Sequence, residues 1–247
     1  MSKFAKAIAA IMLMMFFAVS CTKSEAPNNG GNNNGQNDSI INDGGTLNGH
    51  EYVDLGLPSG ILWATCNVGA DVPEGCGDYF AWGETVPKDI YDWKSYKYGN
   101  FIDERYEFTK YCTDSVYGLN GFVDNLTLLE PSDDAARVNW GADWRMPTKE
   151  EWEELYQNTT YTITALNGVD GCLFEAANGH TLFLPATGYW WGSGFNGVGI
   201  GVYWSSTINI EFPYRTWGYH INPDSSHVCG SSDRNRGQTV RAVCAMK

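Results

Sequence analysis

Two short apolar stretches in the C-terminal third of the chain enclose a long segment without a hydrophobic period. Residues 202–206 and residues 238–243 are both typical of strands. Residues 208–233 mix Asn, Ser, Asp, Gly, His, Arg, Tyr and Trp, and no apolar period of 2 or 3.6 persists there. This pattern is typical of a surface segment whose side chains are not selected for packing. We therefore expect two fixed strands that frame an exposed 208–233 segment.

Composition indicates a globular protein and excludes two classes of partner. The chain has 247 residues, and its aromatic share of 14% supplies ample material for a core. The formal net charge is −13, from 29 acidic and 16 basic residues. Nucleic acid and anionic membrane surfaces repel such a body, so neither is expected to bind it.

The first twenty residues are typical of an export signal. Lys3 and Lys6 precede the apolar run 7–19, which is too short to span a bilayer comfortably. The sequence Ala18-Val19-Ser20-Cys21 resembles a bacterial lipobox, so Cys21 is predicted to carry a lipid. The alternative is an ordinary signal peptide followed by an incidental cysteine. The lipid on Cys21 would be the protein's membrane attachment, at the outer membrane and on the cell surface.

Residues 21–46 predict a lipid-anchored flexible tether, because Pro, Asn, Gly, Gln, Asp and Ser bury too little surface to offset their ordering entropy. One domain, 47–247, is expected to follow. It contains six cysteines, and their even number in an exported chain suggests disulfides, of which Cys66 with Cys76 is the nearest local pair. Sequence does not choose among the possible connectivities.

The domain is predicted to be α+β, with strands, then helices, then strands. Residues 52–57 and 61–68 predict a hairpin, and residues 79–83 a short strand. A helix from Asp133 is predicted with Ser132 as N-cap, and a second helix begins after Thr148. Glu151 completes a capping box in the second helix, where Trp152, Leu155 and Tyr156 form one apolar face.

Two further patterns concern the middle of the domain. Asn178-Gly179 predicts a type I′ hairpin turn between two strands. The consecutive Trp190 and Trp191 are either core anchors or an exposed stacking platform, with the core favoured. The acidic loop 70–78 is interpreted as a solvated surface rather than a calcium site, because it lacks a recognised ligand spacing. No metal and no cofactor is predicted.

Several blocks resemble a known family. Six blocks are similar to the Fibrobacter succinogenes major paralogous domain of Bacteroidetes surface lipoproteins: Gly49-His50-Glu51-Tyr52-Val53-Asp54-Leu55-Gly56-Leu57-Pro58-Ser59-Gly60, Leu62-Trp63-Ala64-Thr65-Cys66-Asn67-Val68-Gly69, Tyr79-Phe80-Ala81-Trp82-Gly83-Glu84-Thr85, Trp144-Arg145-Met146-Pro147-Thr148, Leu184-Pro185-Ala186-Thr187-Gly188-Tyr189 and Tyr203-Trp204-Ser205-Ser206. The resemblance implies a C-type-lectin-like fold: a small twisted antiparallel sheet, two helices and long irregular loops that display a binding surface. It also implies a distant relation to formylglycine-generating enzymes.

The 208–233 segment also resembles the variable region of proteins diversified by retroelements. Adenine-directed mutagenesis of Asn codons that end in a pyrimidine cannot produce Glu, Lys, Gln, Met or Trp. Only Glu211 and Trp217 belong to these types within the segment, where about four are expected by proportion. The two flanking strands would then be the constant frame around a diversified surface.

The leading functional hypothesis is a cell-surface lipoprotein that binds a protein or glycan through this segment. Its candidate contact residues combine rigid aromatic area with polar selection: Tyr214, Arg215, Trp217, Tyr219, His220, Asp224 and His227. One alternative is a structural or tip subunit of a surface fibre. A further alternative is an enzyme of the formylglycine-generating type, but no histidine has a motif partner, so no catalytic residue is assigned.

Overall fold

A computed structural model of the protein describes residues 44–222 and 227–246, without the side chains of His227 and Val228. These residues all belong to one compact unit, Gly35–Lys247. The predictions for the export signal, for the lipid on Cys21 and for Asp224 lie outside the described residues. The first strand begins at Gly44, so the expected domain boundary at residue 47 is three residues too late.

The described structure is mainly antiparallel β-structure with two α-helices, which confirms the predicted α+β class. The strands are β1 Gly44–Leu47, β2 His50–Val53, β3 Ile61–Asn67, β4 Gly99–Ile102, β5 Arg105–Phe108, β6 Trp144–Arg145, β7 Thr159–Leu166, β8 Val169–Ala176, β9 Thr181–Pro185, β10 Tyr189–Trp191, β11 Gly194–Asn196, β12 Gly201–Ile208, β13 Arg215–Ile221, β14 His227–Asp233 and β15 Arg241–Ala245. The helices are α1 Ala135–Trp140 and α2 Lys149–Asn158.

The main sheet has five strands in the order β1-β2-β3-β15-β6. Its β2–β3 pairing, with Tyr52 opposite Ala64, confirms that the first two predicted strands pair, but the first of them is His50–Val53 rather than residues 52–57. Ala64 and Cys244 belong to one apolar cluster, whereas Trp63 and Val243 belong to another. Because successive strand residues point to opposite faces, the sheet lies between two cores, and every residue of β3 except Cys66 is buried.

The predictions of strands at residues 79–83 and 238–243 require correction. Residues 79–83 do not form a strand; Phe80 makes a single bridge to Gln238. Regular strand structure at the C-terminal end begins at Arg241 rather than Gln238. This bridge still connects the segments around Phe80 and Gln238, because the backbone N–H group of each residue donates to the other's carbonyl, at 2.9 and 3.0 Å.

The β7-β8-β9 sheet contains the predicted hairpin, but its turn type is different. Gly179 has φ +82°, whereas Asn178 is not among the residues with positive φ, so a type I′ turn is excluded. The Ala176 carbonyl accepts from the Gly179 N–H, and the Ala176 N–H donates to the His180 carbonyl. A three-residue loop with glycine in the left-handed position satisfies both bonds.

The 208–233 segment is not a continuous irregular loop. β13 and β14 pair in register from Arg215 opposite Asp233 to Ile221 opposite His227, and β13 also pairs with β12. Four residues of β13 are buried, which sequence periodicity did not reveal because two of them, Thr216 and Gly218, are not large apolar residues. The prediction of an irregular surface segment is therefore wrong for these two strands.

The two predicted helices are present with changes in detail. The Thr148–Glu151 capping box of α2 is confirmed, and so is the burial of Trp152 and Leu155. Tyr156 is 37% exposed, so its assignment to the buried face is wrong. The N-cap of α1 is Asp134 rather than Ser132, since the Asp134 carboxylate accepts from the Arg137 N–H.

The predictions for the Cys66–Cys76 pair and for the Trp190-Trp191 pair also change. Cys66 is a thiol, so its predicted disulfide with Cys76 does not form. Cys112, Cys172 and Cys229 are thiols as well. The tryptophan pair is divided between the two expected environments: Trp190 packs partly buried against one core, whereas Trp191 is 59% exposed.

Candidate binding surface

The Tyr203-Trp204-Ser205-Ser206 motif holds the β12–β13 pair in place. A bulge interrupts this pairing between Trp204 and Ile208. The Ser205 hydroxyl sits in the bulge, where it accepts from the Thr207 N–H at 3.2 Å and donates to the Trp217 carbonyl at 2.8 Å. Bulges re-aim the residues beside them. The motif therefore determines where β13 carries its side chains.

Three indole N–H groups fix the same motif to the rest of the domain. Trp204 donates to the Phe80 carbonyl at 2.7 Å, and Trp82 donates to the Ser205 carbonyl at 2.8 Å. Trp152 of α2 donates to the Trp204 carbonyl at 3.2 Å. Since each buried indole satisfies a buried carbonyl, the motif has a structural role that accounts for its aromatic content.

Tyr214 lies in a cluster of rings that includes the β4–β5 hairpin. Its ring stacks on Tyr106, with centroids 4.6 Å apart and planes 2° from parallel. Phe101 and Phe212 extend the cluster, at 4.7 Å from Tyr106 and 6.0 Å from Tyr214 respectively. Phe101 is 44% exposed and Phe212 is 45% exposed, so the cluster presents apolar area to solvent.

Arg215 begins a charged bridge beside these rings. Its Nε donates to the Asp233 carboxylate at 3.1 Å, and Arg236 contacts the other carboxylate oxygen at 3.5 Å. The Arg236 guanidinium carbon lies 5.3 Å from the Trp191 ring and 5.2 Å from the Tyr189 ring. Burial raises the pKa of Tyr106 to about 12, and the nearby Asp233 carboxylate adds to the shift.

These contacts form one continuous surface, which we call the aromatic–arginine surface. It runs from the rings at one end, through the charged bridge, to an exposed indole at the other end. Its members are Phe101, Tyr106, Phe212, Tyr214, Arg215, Asp233, Arg236 and Trp191. Two of the predicted contact residues, Tyr214 and Arg215, belong to it.

The other predicted contact residues have different environments. Trp217 is partly buried, and Lys149 of α2 lies 4.6 Å from its ring centroid. Tyr219 is fully buried and stacks on Trp152, with ring centroids 5.0 Å apart. Its prediction as a contact residue is therefore wrong, because the Tyr219 and Ile221 end of this face of β13 packs into the apolar cluster that contains Trp152.

His220 is a largely buried residue on the opposite face of β13. Its Nε2 lies 3.3 Å from the Ser232 hydroxyl. Burial lowers the pKa of His220 to about 4, and the positive charges of Arg236 and Arg215 add to the shift. The imidazole is thus neutral at physiological pH and supplies no charge for ligand selection. The side chains of Asp224 and His227 lie outside the described part of the chain.

Sequence reasoning missed most of the surface outside the 208–233 segment. Phe101 and Tyr106 flank a two-residue turn in which Asp103 and Glu104 have φ of 49° and 61°. Both central residues are left-handed, as in a type I′ turn, but Glu104 stands where the usual Asp-Gly signal has glycine. Arg236 lies three residues after Asp233 but outside the segment that was considered, and the proximity of Trp191 to Arg236 depends on tertiary structure.

No protein-family model, curated protein or solved structure matches this chain. The site is therefore described from its own chemistry. Within residues 44–222 and 227–246, no group of three or more His, Cys, Asp or Glu side chains has the arrangement of a metal site. No helix among them is long and apolar enough to cross a membrane.

The described thiols lie in environments that suppress their reactivity. Burial raises the pKa of Cys172 and of Cys229 to about 12, and it also raises the pKa of Cys66 and Cys112. The thiolate is the nucleophilic and metal-binding form of cysteine. These four thiols consequently remain protonated at neutral pH.

Proposed function

We propose that this protein is a cell-surface lipoprotein, anchored in the outer membrane through Cys21, that binds a protein or glycan ligand. We place it in the Fibrobacter succinogenes major paralogous domain family, with a C-type-lectin-like fold. The α+β class, the antiparallel sheets and the two helices support that fold. Ligand binding is assigned to the aromatic–arginine surface.

One observation carries the assignment of the surface. Rings from the β4–β5 hairpin and from the 208–233 segment stack into a single cluster while Phe101 and Phe212 remain nearly half exposed. Exposed apolar area next to arginines is characteristic of interaction sites, where aromatic and arginine side chains supply most of the binding energy. Because Phe101 and Phe212 are so exposed, they contribute little to packing of the core.

The proposed diversification is restricted to part of the 208–233 segment. Residues 210–212 are exposed and Tyr214, Arg215 and Trp217 are partly exposed, whereas Thr216 and Tyr219 are fully buried. Free variation of the buried positions would disturb packing. We therefore propose that variation, where it occurs, alters ligand contacts from residues 210 to 217 and leaves the buried positions of β13 unchanged.

The DNA beside the gene tests diversification. A near-repeat of the region that encodes residues 208–233, together with a reverse-transcriptase gene, is expected. Substitutions in the repeat would fall at adenines that correspond to the exposed positions. If the repeat is absent, the 208–233 segment is a fixed ligand surface and only this part of the proposal falls.

A binding experiment tests the surface itself. The intact protein is applied to arrays of glycans and of cell-surface proteins, and the triple variant Phe101→Ser, Phe212→Ser, Tyr214→Ser is compared with it. The matched control is Val86→Ser, Ile90→Ser, Val138→Ser, which removes exposed apolar side chains elsewhere. We expect any ligand of the wild type to lose at least about tenfold in affinity in the first variant only. Equal losses in both variants would contradict the assignment.

The fibre-subunit alternative gains one specific observation. β7 is an eight-residue strand at the edge of its sheet, contains no charged residue and pairs with β8 without a bulge. Such an edge accepts an added strand readily. The substitution Ile163→Lys would lower any concentration-dependent assembly measured by analytical ultracentrifugation. Assembly that is unchanged by this substitution would exclude β7 as the contact.

A further inference from the structure

Two arginines share one carboxylate in the middle of the aromatic–arginine surface. Arg215 and Arg236 contact different oxygens of Asp233, at 3.1 and 3.5 Å. The three side chains remain 39%, 23% and 26% exposed respectively. Two guanidinium groups and one carboxylate leave a net positive charge, in a chain whose formal net charge is −13. The bridge is therefore a local cationic site on an acidic protein.

The field near the bridge agrees with this charge count. The pKa of His220 is lowered first by burial and then by Arg236 and Arg215. An anion that approaches the exposed side of the bridge consequently meets an attractive potential. A guanidinium has five N–H donors and favours planar, two-oxygen acceptors such as a carboxylate.

An exposed aromatic ring lies directly beside the bridge. Trp191 is 59% exposed, and its ring is 5.3 Å from the Arg236 guanidinium carbon. An exposed indole offers a flat apolar area on which the C–H-bearing face of a sugar ring packs.

We propose that this part of the surface binds a sugar that carries a carboxylate, a uronic acid or a sialic acid residue, with its ring on Trp191 and its carboxylate on Arg236 and Arg215. The inference rests on the proposed binding function and specifies its ligand class. A neutral sugar would leave the charge of the bridge unused, and a free anion would leave the indole unused. The combination of both groups is what selects an acidic sugar.

Calorimetric titration of the intact protein tests the ligand class. The probes are trigalacturonate and 3′-sialyllactose, with maltotriose and lactose as their uncharged counterparts. We expect at least one acidic probe to bind at least about tenfold more tightly than its neutral counterpart, which corresponds to one charge-assisted contact. Raising the salt concentration should weaken the binding of the acidic probe.

Two single variants test the residues. Arg236→Gln and Trp191→Ala are each expected to weaken binding of the acidic probe by about tenfold or more. The controls are Arg137→Gln and Phe122→Ala, which change an arginine and an exposed aromatic residue outside the surface. Circular-dichroism melting of every variant verifies that a loss of binding does not come from unfolding.

The proposal is overturned if neither acidic probe binds at millimolar concentration, if neutral and acidic probes bind equally, or if the control variants lose as much affinity. These results are separable from a failure of the proposed function. Array ligands that depend on Phe212 and Tyr214 would preserve the binding function even when both acidic sugars fail. If no array ligand depends on Phe212 and Tyr214 and neither acidic sugar binds, the proposed function and this inference both fail.

Discussion

Tyr106 and Tyr214 lie face to face, with ring centroids 4.6 Å apart and planes 2° from parallel. Tyr106 belongs to β5, and Tyr214 immediately precedes β13. The stack is thus a direct contact between the β4–β5 hairpin and the segment that carries the proposed ligand contacts. It holds Tyr214 in a fixed position before any ligand arrives, which reduces the entropy that binding must overcome.

A double-mutant cycle measures this contact. Tyr106→Ala, Tyr214→Ala and the double variant are compared by urea unfolding. We expect a coupling free energy of about 1 kcal/mol, because stacked aromatic pairs contribute that amount beyond area burial. The pair Tyr106 and Val138, which do not share this contact, provides the control cycle. Additive effects for Tyr106 and Tyr214 would show that the stack carries no energy.

Asp133 is expected to make stability depend on acid pH. Burial raises the pKa of Asp133, but the hydrogen bonds from Lys110, Tyr111 and Tyr98 outweigh that effect and lower it to about 2. A lowered carboxyl pKa adds stability above about pH 4, and this contribution is lost as pH falls toward 2. Asp133→Asn should therefore cost about 2 kcal/mol at pH 7 and much less near pH 2.

Urea unfolding across this pH range measures the Asp133 effect. Asp89→Asn, at an exposed position, is the matched control and should change stability little at any pH. A cost for Asp133→Asn that stays constant between pH 7 and pH 2 would refute the assignment of the carboxylate as the source.

His220 is expected to contribute a separate pH dependence. Its folded-state pKa of about 4 lies below the usual value of 6.5, so the unfolded chain binds the extra proton between these values. The contribution of His220 to the free energy of unfolding is fully present above about pH 6.5. It falls by up to about 3 kcal/mol as pH drops toward 4. His220→Gln should flatten the stability curve over this interval. An identical slope in wild type and variant would rule out the imidazole as its cause.

Gly218 is expected to be invariant even though it lies inside the 208–233 segment. A Cβ atom at this position would meet the Tyr203 carbonyl oxygen at 2.4 Å, and backbone cannot move aside cheaply. Gly218→Ala should destabilise the domain by about 1–3 kcal/mol in thermal or urea unfolding. Gly194→Ala is the control, because the nearest atom to its Cβ would be 3.6 Å away. Equal effects would show that the β12–β13 pair adjusts.

The parts of the fold that sequence predicted are those specified by local chemistry. The Thr148–Glu151 capping box and the burial of Trp152 follow from helical spacing alone, and both are confirmed. The β2–β3 hairpin follows from apolar runs around Pro58-Ser59-Gly60. In each case, the residues that determine the structure are close in sequence, so no knowledge of tertiary contacts is needed.

The failures arise where tertiary structure overrides the local signal. Asn178-Gly179 predicted a type I′ turn and forms a three-residue loop, whereas Asp103-Glu104 forms the two-residue turn with both φ angles positive and gave no signal. β13 was missed because Thr216 and Gly218 are buried without being apolar. Tyr219 was assigned to the surface because sequence does not show which end of β13 reaches α2.

The candidate site was predictable only where it belongs to the 208–233 segment. Tyr214 and Arg215 were named from composition and position, and the structure places them on one surface. Trp191 and Phe101 come from two other parts of the chain and meet this surface only through tertiary structure, whereas Arg236 lies just beyond the end of the segment. A pattern within one segment cannot indicate partners that other segments supply.

The position of β15 between β3 and β6 has a consequence for how altered chains would be filtered. β15 follows the 208–233 segment in the chain, so a premature stop or a frameshift within that segment removes the strand that joins β3 to β6. Such a chain leaves β6 without its strand partner and β3 paired only with β2, and it removes residues of β15 from both cores. Substitutions at exposed positions of the segment do not have this effect. Because of this strand order, only a chain that is translated in frame through the segment can complete the main sheet.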